Sequence, residues 1–136
     1  MLNMWLIQQR ATKIDFSNNL SSTGDSQVNI EVAFKYDFKV EYASDLKHCR
    51  ATIAQKVESK SDPKSFHVLV EVEGVFETDP ILDDNLKKEA HVRCYSELFP
   101  YVQSLVAQIG VAAGGTSLIV PPDRISIENV FVAKES

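Results

Sequence analysis

The sequence predicts an α+β fold, in which an antiparallel sheet is built first and helices then pack on one of its faces. Two observations support this prediction. Apolar and polar residues alternate with a period of two in the first half of the chain, and the apolar period becomes helical after Pro80. The length of 136 residues suggests a single domain over residues 1–136, and no repeat or low-complexity tract is visible.

The longest strand candidate is "VNIEVAFKYDFKVEY", residues 28–42, which alternates without a break. Its even positions, from Val28 to Tyr42, are all apolar, and its odd positions are polar or charged except for Ala33. A straight strand of this length would run about 50 Å, whereas a compact chain of this size is roughly 35–40 Å across. The sequence therefore raises the question of what covers the rest of this apolar face.

Three further strand candidates accompany the long one. They are the segment from Trp5 to Phe16, the weaker "CRATIAQKVES" at 49–59, and "FHVLVEVEGVF" at 66–76. The polar cluster at 17–27 is expected to be a loop, and "KSDPK" a turn centred on Asp-Pro. Gly74 suggests a bulge or a bend in the last strand.

The first helix is expected to begin after Pro80, with Asp83 or Asp84 as its cap. Its apolar stripe has i, i+4 spacing and consists of Leu82, Leu86, Ala90, Cys94 and Leu98.

Pro100 is placed where a second helix begins, since proline is tolerated in a first helical turn. The apolar stripe of this helix consists of Val102, Leu105, Val106 and Ile109. "GVAAGGTS" is expected to end it, "LIVPP" to be extended, and residues 123–132 to form a short strand or helix.

Composition and charge limit the class of protein. The net charge is −5 and no lysine or arginine cluster occurs, which argues against nucleic acid as a partner. The opening "MLNMWLIQQR" is not typical of a signal peptide, and no segment approaches the length of a membrane span. Two cysteines do not suggest a disulfide framework. We therefore expect a cytoplasmic protein with reduced thiols.

No catalytic or metal site is predicted. His48 precedes Cys49, and His91 and Cys94 are three residues apart, but neither pair has the spacing of a zinc site. Cys94 lies on the apolar helical stripe, where a buried structural thiol is the ordinary case. The glycines form no phosphate-binding motif. We therefore expect neither an enzyme nor a cofactor.

From residue 73 onward, "EGVFETDP" is followed by a helix opener, then by "LFPYVQSLVAQ" at 98–108 and by "LIVPPDRI". This order of features resembles the SecB family of protein-export chaperones, whose helix reads "LFPYAR" and whose linker reads "LAPVNF". "VNIEVAF" and "ATKIDF" match its second strand and the end of its first strand.

This resemblance implies a four-stranded antiparallel sheet with helices, usually assembled as a dimer of dimers. Family members are cytosolic holdases, which keep secretory precursors unfolded and competent for translocation and pass them to the motor SecA. Other members guard antitoxins of toxin–antitoxin systems.

The resemblance also implies site residues. Val28, Ile30 and Val32 match client-contacting positions of the family's second strand, and pattern alone adds Phe34, Leu105, Ile109 and Phe131. We expect extended clients to lie in a groove between the long strand and the helices. Val68, Val70 and Val72 match a face that sets homotetramer assembly. The alternative interpretation is that all of these side chains belong to an ordinary core.

Departures from the family pattern bear on SecA. Asp15 is the only carboxylate in "ATKIDFSN", Ser17 stands where an acidic residue is expected, and Leu69 occupies the acidic position of the third strand. The sequence therefore favours a holdase over SecA docking. Two alternatives remain open: a chaperone or adaptor dedicated to one client such as an antitoxin, and a small-molecule carrier or hot-dog-like enzyme.

Overall fold

A computed structural model of the chain describes residues 2–18, 32–60, 66–114 and 120, which contain four strands and one helix. The elements are β1 (Met4–Asn18), β2 (Val32–Tyr42), β3 (His48–Ser59), β4 (Phe66–Thr78) and α1 (Asp84–Gly114). The strands precede the helix, as the change in apolar period predicts. Within these residues, no helix is long and apolar enough to cross a membrane.

The four strands form one antiparallel sheet in the order β1-β4-β3-β2. A short turn joins β2 to β3, and there Leu46 adopts a left-handed backbone with φ 58°. β1 and β2 are the outer strands of the sheet. The two inner strands have one face almost fully buried, whereas the same face of β2 is only partly buried.

Helix α1 packs against the buried face of the sheet and touches all four strands. Asp83 is its N-cap, because its carboxylate accepts a hydrogen bond of 2.8 Å from the Leu86 amide. Ala90, Cys94 and Leu98 of the predicted stripe have no exposed surface. Leu82, which the i, i+4 spacing places on this stripe, instead precedes the helix and is 76% exposed.

The prediction of a second helix beginning at Pro100 is wrong, because α1 continues through this residue to Gly114. Proline cannot donate to the carbonyl of Ser96 and therefore costs the helix one hydrogen bond. The apolar stripe nevertheless continues across the proline from Leu98 to Val102 and Val106, all fully buried. Packing of both halves on the same sheet outweighs the loss of that bond.

Gly74 does not form a bulge in β4, which pairs with both neighbours through this residue. The register shifts lie in β1 instead, between Leu6 and Gln8 and between Ala11 and Lys13. Each shift leaves one extra residue in β1 opposite a regular β4, as in a β-bulge. The reason for a glycine at position 74 is instead its close contact with the helix.

Candidate functional site

The apolar face of β2 is only partly covered, unlike that of the inner strands β3 and β4. Its even-numbered side chains, from Val32 to Tyr42, are only partly buried. Their register partners in β3 are all buried, as in the pairs Phe34 with Val57 and Phe38 with Ile53. Because β2 is an outer strand of the sheet, one side of each of these apolar residues is left open.

An aromatic cluster joins the middle of β2 to α1. The ring of Tyr95 lies 5.7 Å from that of Tyr36 and 5.5 Å from that of Phe38, and it stacks on Phe99 at 5.3 Å. His91 meets the ring of Phe38 edge-on at 4.6 Å. These separations are typical of favourable aromatic pairs, so they hold the helix against the edge of the sheet.

The end of β2 is fixed to α1 by Tyr42. Its hydroxyl donates a hydrogen bond of 2.9 Å to the carbonyl of Lys87, and the ammonium of that lysine lies 5.4 Å from the tyrosine ring. Burial strongly raises the pKa of the Tyr42 hydroxyl, so this group remains a donor at neutral pH.

We call the partly exposed apolar surface along β2 and the helix the β2–α1 rim. It consists of Val32, Phe34, Tyr36, Phe38, Val40 and Tyr42 of β2 with Leu86, Leu105 and Ile109 of α1. All of these side chains pack against the core and keep some exposed surface.

Four of the seven predicted client-binding residues belong to the rim: Val32, Phe34, Leu105 and Ile109. The other three, Val28, Ile30 and Phe131, lie outside the described residues. Sequence reasoning missed His91, Tyr95 and Phe99, which hold the helix against β2. These three residues are spaced i, i+4 in the sequence, and this spacing predicts that they lie in one row on the helix, beside the apolar stripe.

The predicted oligomer residues Val68, Val70 and Val72 are at most 1% exposed within the single chain. They share the buried face of β4 with Gly74, on which Leu98 of the helix rests. A partner subunit would contact them only if the groups that cover them moved. Their role in assembly stays a prediction.

The opposite face of the sheet is charged and internally paired. Arg10 of β1 lies 3.2 Å from Glu73 of β4, which lies 3.6 Å from Arg50 of β3, and Arg50 lies 3.3 Å from Glu41 of β2. This row of ion pairs crosses all four strands. The Arg50 guanidinium also holds the pKa of the Glu41 carboxyl below its usual value.

Further polar contacts stabilise the strands and the turn between β2 and β3. Gln55, which is 2% exposed, donates from its side-chain amide to the carbonyls of Lys35 and Lys56 at 3.1 and 3.2 Å. The ring of His48 lies 2.8 Å from the carboxylate of Asp45. Among the described residues, no group of three or more histidine, cysteine or acidic side chains is placed to hold a metal ion.

Comparison with solved structures identifies the architecture. The chain is similar to the Mycobacterium tuberculosis Rv1957 SecB-like chaperone, which was solved in complex with a ChAD peptide from the Rv1956 HigA1 antitoxin. The TM-score is 0.67 at 11% sequence identity, and the match covers 87% of this chain and 86% of that one. The fold is SecB-like. No protein-family model matches the sequence, and no curated protein matches it either.

The SecB-like fold confirms the resemblance that "LFPY" and its neighbouring features suggested, and with it the four-stranded antiparallel sheet. At 11% identity the likeness concerns the fold alone. Function has to be argued from the surfaces of this chain.

Proposed function

We propose that this protein is a chaperone of the holdase type, which binds unfolded polypeptide segments along the β2–α1 rim. The observation that supports this most is the half-burial of every even-numbered side chain from Val32 to Tyr42. A continuous apolar strip that remains partly exposed is a binding surface or an aggregation hazard. The structural neighbour was solved in complex with a peptide, which supports the first of these alternatives.

A client segment in extended conformation suits the geometry. Its own side chains alternate with a period of two and match the spacing of the β2 side chains. Apolar contact on one side of the client requires little sequence selectivity. Clients such as secretory precursors, kept translocation-competent in the cytosol, would fit this mode of binding.

The second candidate is a chaperone or adaptor dedicated to one client, such as an antitoxin. It is supported by the structural neighbour, whose complex contains an antitoxin peptide. Both candidates use the same apolar rim, and they differ in the number of polypeptides that bind to it.

One experiment separates the two candidates. The purified protein, without nucleotide, is added to an unrelated denatured protein that aggregates on dilution, and light scattering is followed. We expect scattering to fall as the molar ratio of the protein rises. If this protein protects only one cognate partner and leaves several unrelated clients to aggregate, the general holdase is rejected in favour of the dedicated chaperone.

SecA is the less favoured partner. On the exposed face of the sheet, Glu41 and Glu73 already have arginine partners, and Glu71 accepts a hydrogen bond of 2.9 Å from Thr12. A partner with basic groups would have to compete with these interactions for the carboxylates.

We also propose that the protein forms a homo-oligomer through β1. In the described sheet this strand of 15 residues has β4 on one side and no second strand on the other, so it is an edge strand. Four large apolar side chains on it are 39–55% exposed: Trp5, Ile7, Ile14 and Phe16. Antiparallel pairing with the same strand of a second copy has two-fold symmetry and covers this edge.

A further inference from the structure

The two cysteines of the chain meet inside the protein, although they are 45 residues apart in sequence. The Sγ atoms of Cys49 in β3 and Cys94 in α1 lie 3.7 Å apart, and both thiols are reduced. The residues are 3% and 0% exposed. The pair therefore joins the sheet to the helix in the core, close to one end of the β2–α1 rim.

The contacts of the two cysteines make their thiols differ in reactivity. Tyr42, the register partner of Cys49, is the residue that hydrogen-bonds to the helix at Lys87. The hydrogen bond between the thiols lowers the pKa of Cys49 and raises that of Cys94, which burial raises further. Cys49 is accordingly the better nucleophile of the two.

A disulfide requires the two sulfurs to approach to about 2.05 Å, a movement of less than 2 Å from their positions here. Side-chain rotation and a small shift of the helix can supply such a movement. No cluster of other metal-ligating side chains accompanies the pair within the described residues, so oxidation is the chemistry that this arrangement favours.

We propose that Cys49 and Cys94 form a reversible disulfide under oxidising conditions, which cross-links β3 to α1 and locks the helix on the sheet. This inference concerns the core of the fold and does not rest on the proposed client binding.

With a hydroperoxide as oxidant the step is balanced. The sulfur of Cys49 attacks one oxygen of hydrogen peroxide, the O–O bond breaks, and the leaving hydroxide takes the thiol proton to give water and a sulfenic acid. The sulfur of Cys94 then attacks the sulfur of Cys49, the S–O bond breaks, and the second hydroxide leaves as water with the Cys94 proton. Two thiols are oxidised to one disulfide, and the peroxide is reduced to two waters.

The test uses the folded wild-type protein. It is treated with hydrogen peroxide, and its intact mass and its non-reduced peptide map are measured by mass spectrometry. We expect a loss of two hydrogen atoms per chain, one cross-linked peptide that joins Cys49 to Cys94, and full reversal by a dithiol reductant. Because the disulfide closes a long loop, the melting temperature should rise by at least about 5 °C.

Cys49→Ala and Cys94→Ala are the matched controls, since each keeps one thiol and cannot form the bond within a chain. Their masses should not show the loss of two hydrogen atoms. The inference is overturned if the treated wild-type protein keeps two free thiols. It is equally overturned if the cysteines gain oxygen separately or cross-link different chains. These outcomes are read on the wild-type protein even if a control variant fails to fold.

Discussion

A β carbon built on Gly74 of β4 would lie 2.9 Å from Cδ1 of Leu98 in α1. It would also lie 3.1 Å from Cε2 of Phe76 and 3.2 Å from Cδ1 of Leu6. The glycine thus serves the close approach of helix and sheet, and the backbone there needs no left-handed conformation. Leu98 has no exposed surface, so it has little room to move away.

Gly74→Ala is expected to lower the free energy of unfolding by about 1–3 kcal/mol, because the added methyl group overpacks the helix–sheet contact. Leu98→Ala alone should cost about 2–5 kcal/mol through the cavity it leaves. In the double variant the methyl group added at position 74 occupies part of that cavity, so the combined loss should be smaller than the sum. Chemical denaturation of the four proteins measures this coupling, and strictly additive losses would show that the two residues do not press on each other.

Pro100 in the middle of α1 gives a second prediction. The residue is exposed, so replacing it removes little packing. Pro100→Ala restores the hydrogen bond to the Ser96 carbonyl and should raise the free energy of unfolding by about 1–3 kcal/mol. Ser104→Ala, at another exposed position of the same helix, is the control and should change it by less than about 0.7 kcal/mol. A loss of stability in Pro100→Ala would mean that the two halves of α1 need the proline to fit the sheet.

His91 gives a prediction about pH. Burial against the ring of Phe38 lowers the pKa of its imidazole from the ordinary value of 6.5, since the charged form is disfavoured there. Below pH 6.5 the unfolded chain therefore binds a proton more readily than the folded chain does. The contribution of His91 to stability is fully present above that value and is lost as the pH falls through the folded pKa. Denaturation curves between about pH 7.5 and 4.5 should show a smaller acid loss for His91→Gln than for the wild type, and equal losses would contradict this account.

The sequence predicts the elements of this fold well because the face periods of strands and helices are local properties. The four strand candidates before residue 77 are strands wherever the structure describes them, and Asp83 caps the helix as expected. Residues 28–31 of the longest candidate and the segment 123–132 lie outside the described residues. The prediction at Pro100 fails because the local cost of a proline does not include the packing of Val102 and Val106 on the sheet. That gain depends on contacts distant in sequence.

The candidate site shows the same limit. Alternation indicates that a strand has an apolar face but does not tell what covers it. β2 alternates more cleanly than β3, yet β3 has the buried face and β2 the half-buried one, because strand order places β2 at the edge. The subunit contact that the family resemblance implies for Val70 stays a prediction, since this residue is buried within its own chain.

Assembly through β1 is tested with two matched variants. Ile14 on β1 and Val111 on α1 are 55% and 56% exposed, so neither contributes much to the core of one chain. We expect the wild type to sediment as a dimer or tetramer and Ile14→Lys to lower that order, since the charge would be buried in the new strand pair. Val111→Lys should leave the order unchanged. A wild-type protein that remains a monomer at tens of micromolar would exclude assembly. If only Val111→Lys dissociates the oligomer, the subunits contact each other through α1 and not through β1.

Whether the β2–α1 rim binds polypeptide is tested most directly by measuring stability and peptide affinity on the same two variants. Phe34 is half-buried on β2, and Ile53 is completely buried on the neighbouring β3. Ile53→Ala should cost about 2–5 kcal/mol of unfolding free energy, and Phe34→Ala well under half of that. A fluorescent unfolded peptide should bind at least about fivefold more weakly to Phe34→Ala, which corresponds to ~1 kcal/mol. It should bind to folded Ile53→Ala as it does to the wild type. If Phe34→Ala is instead as unstable as Ile53→Ala, and its folded fraction binds the peptide with unchanged affinity, the rim is simply the edge of the core and the proposed binding surface is wrong.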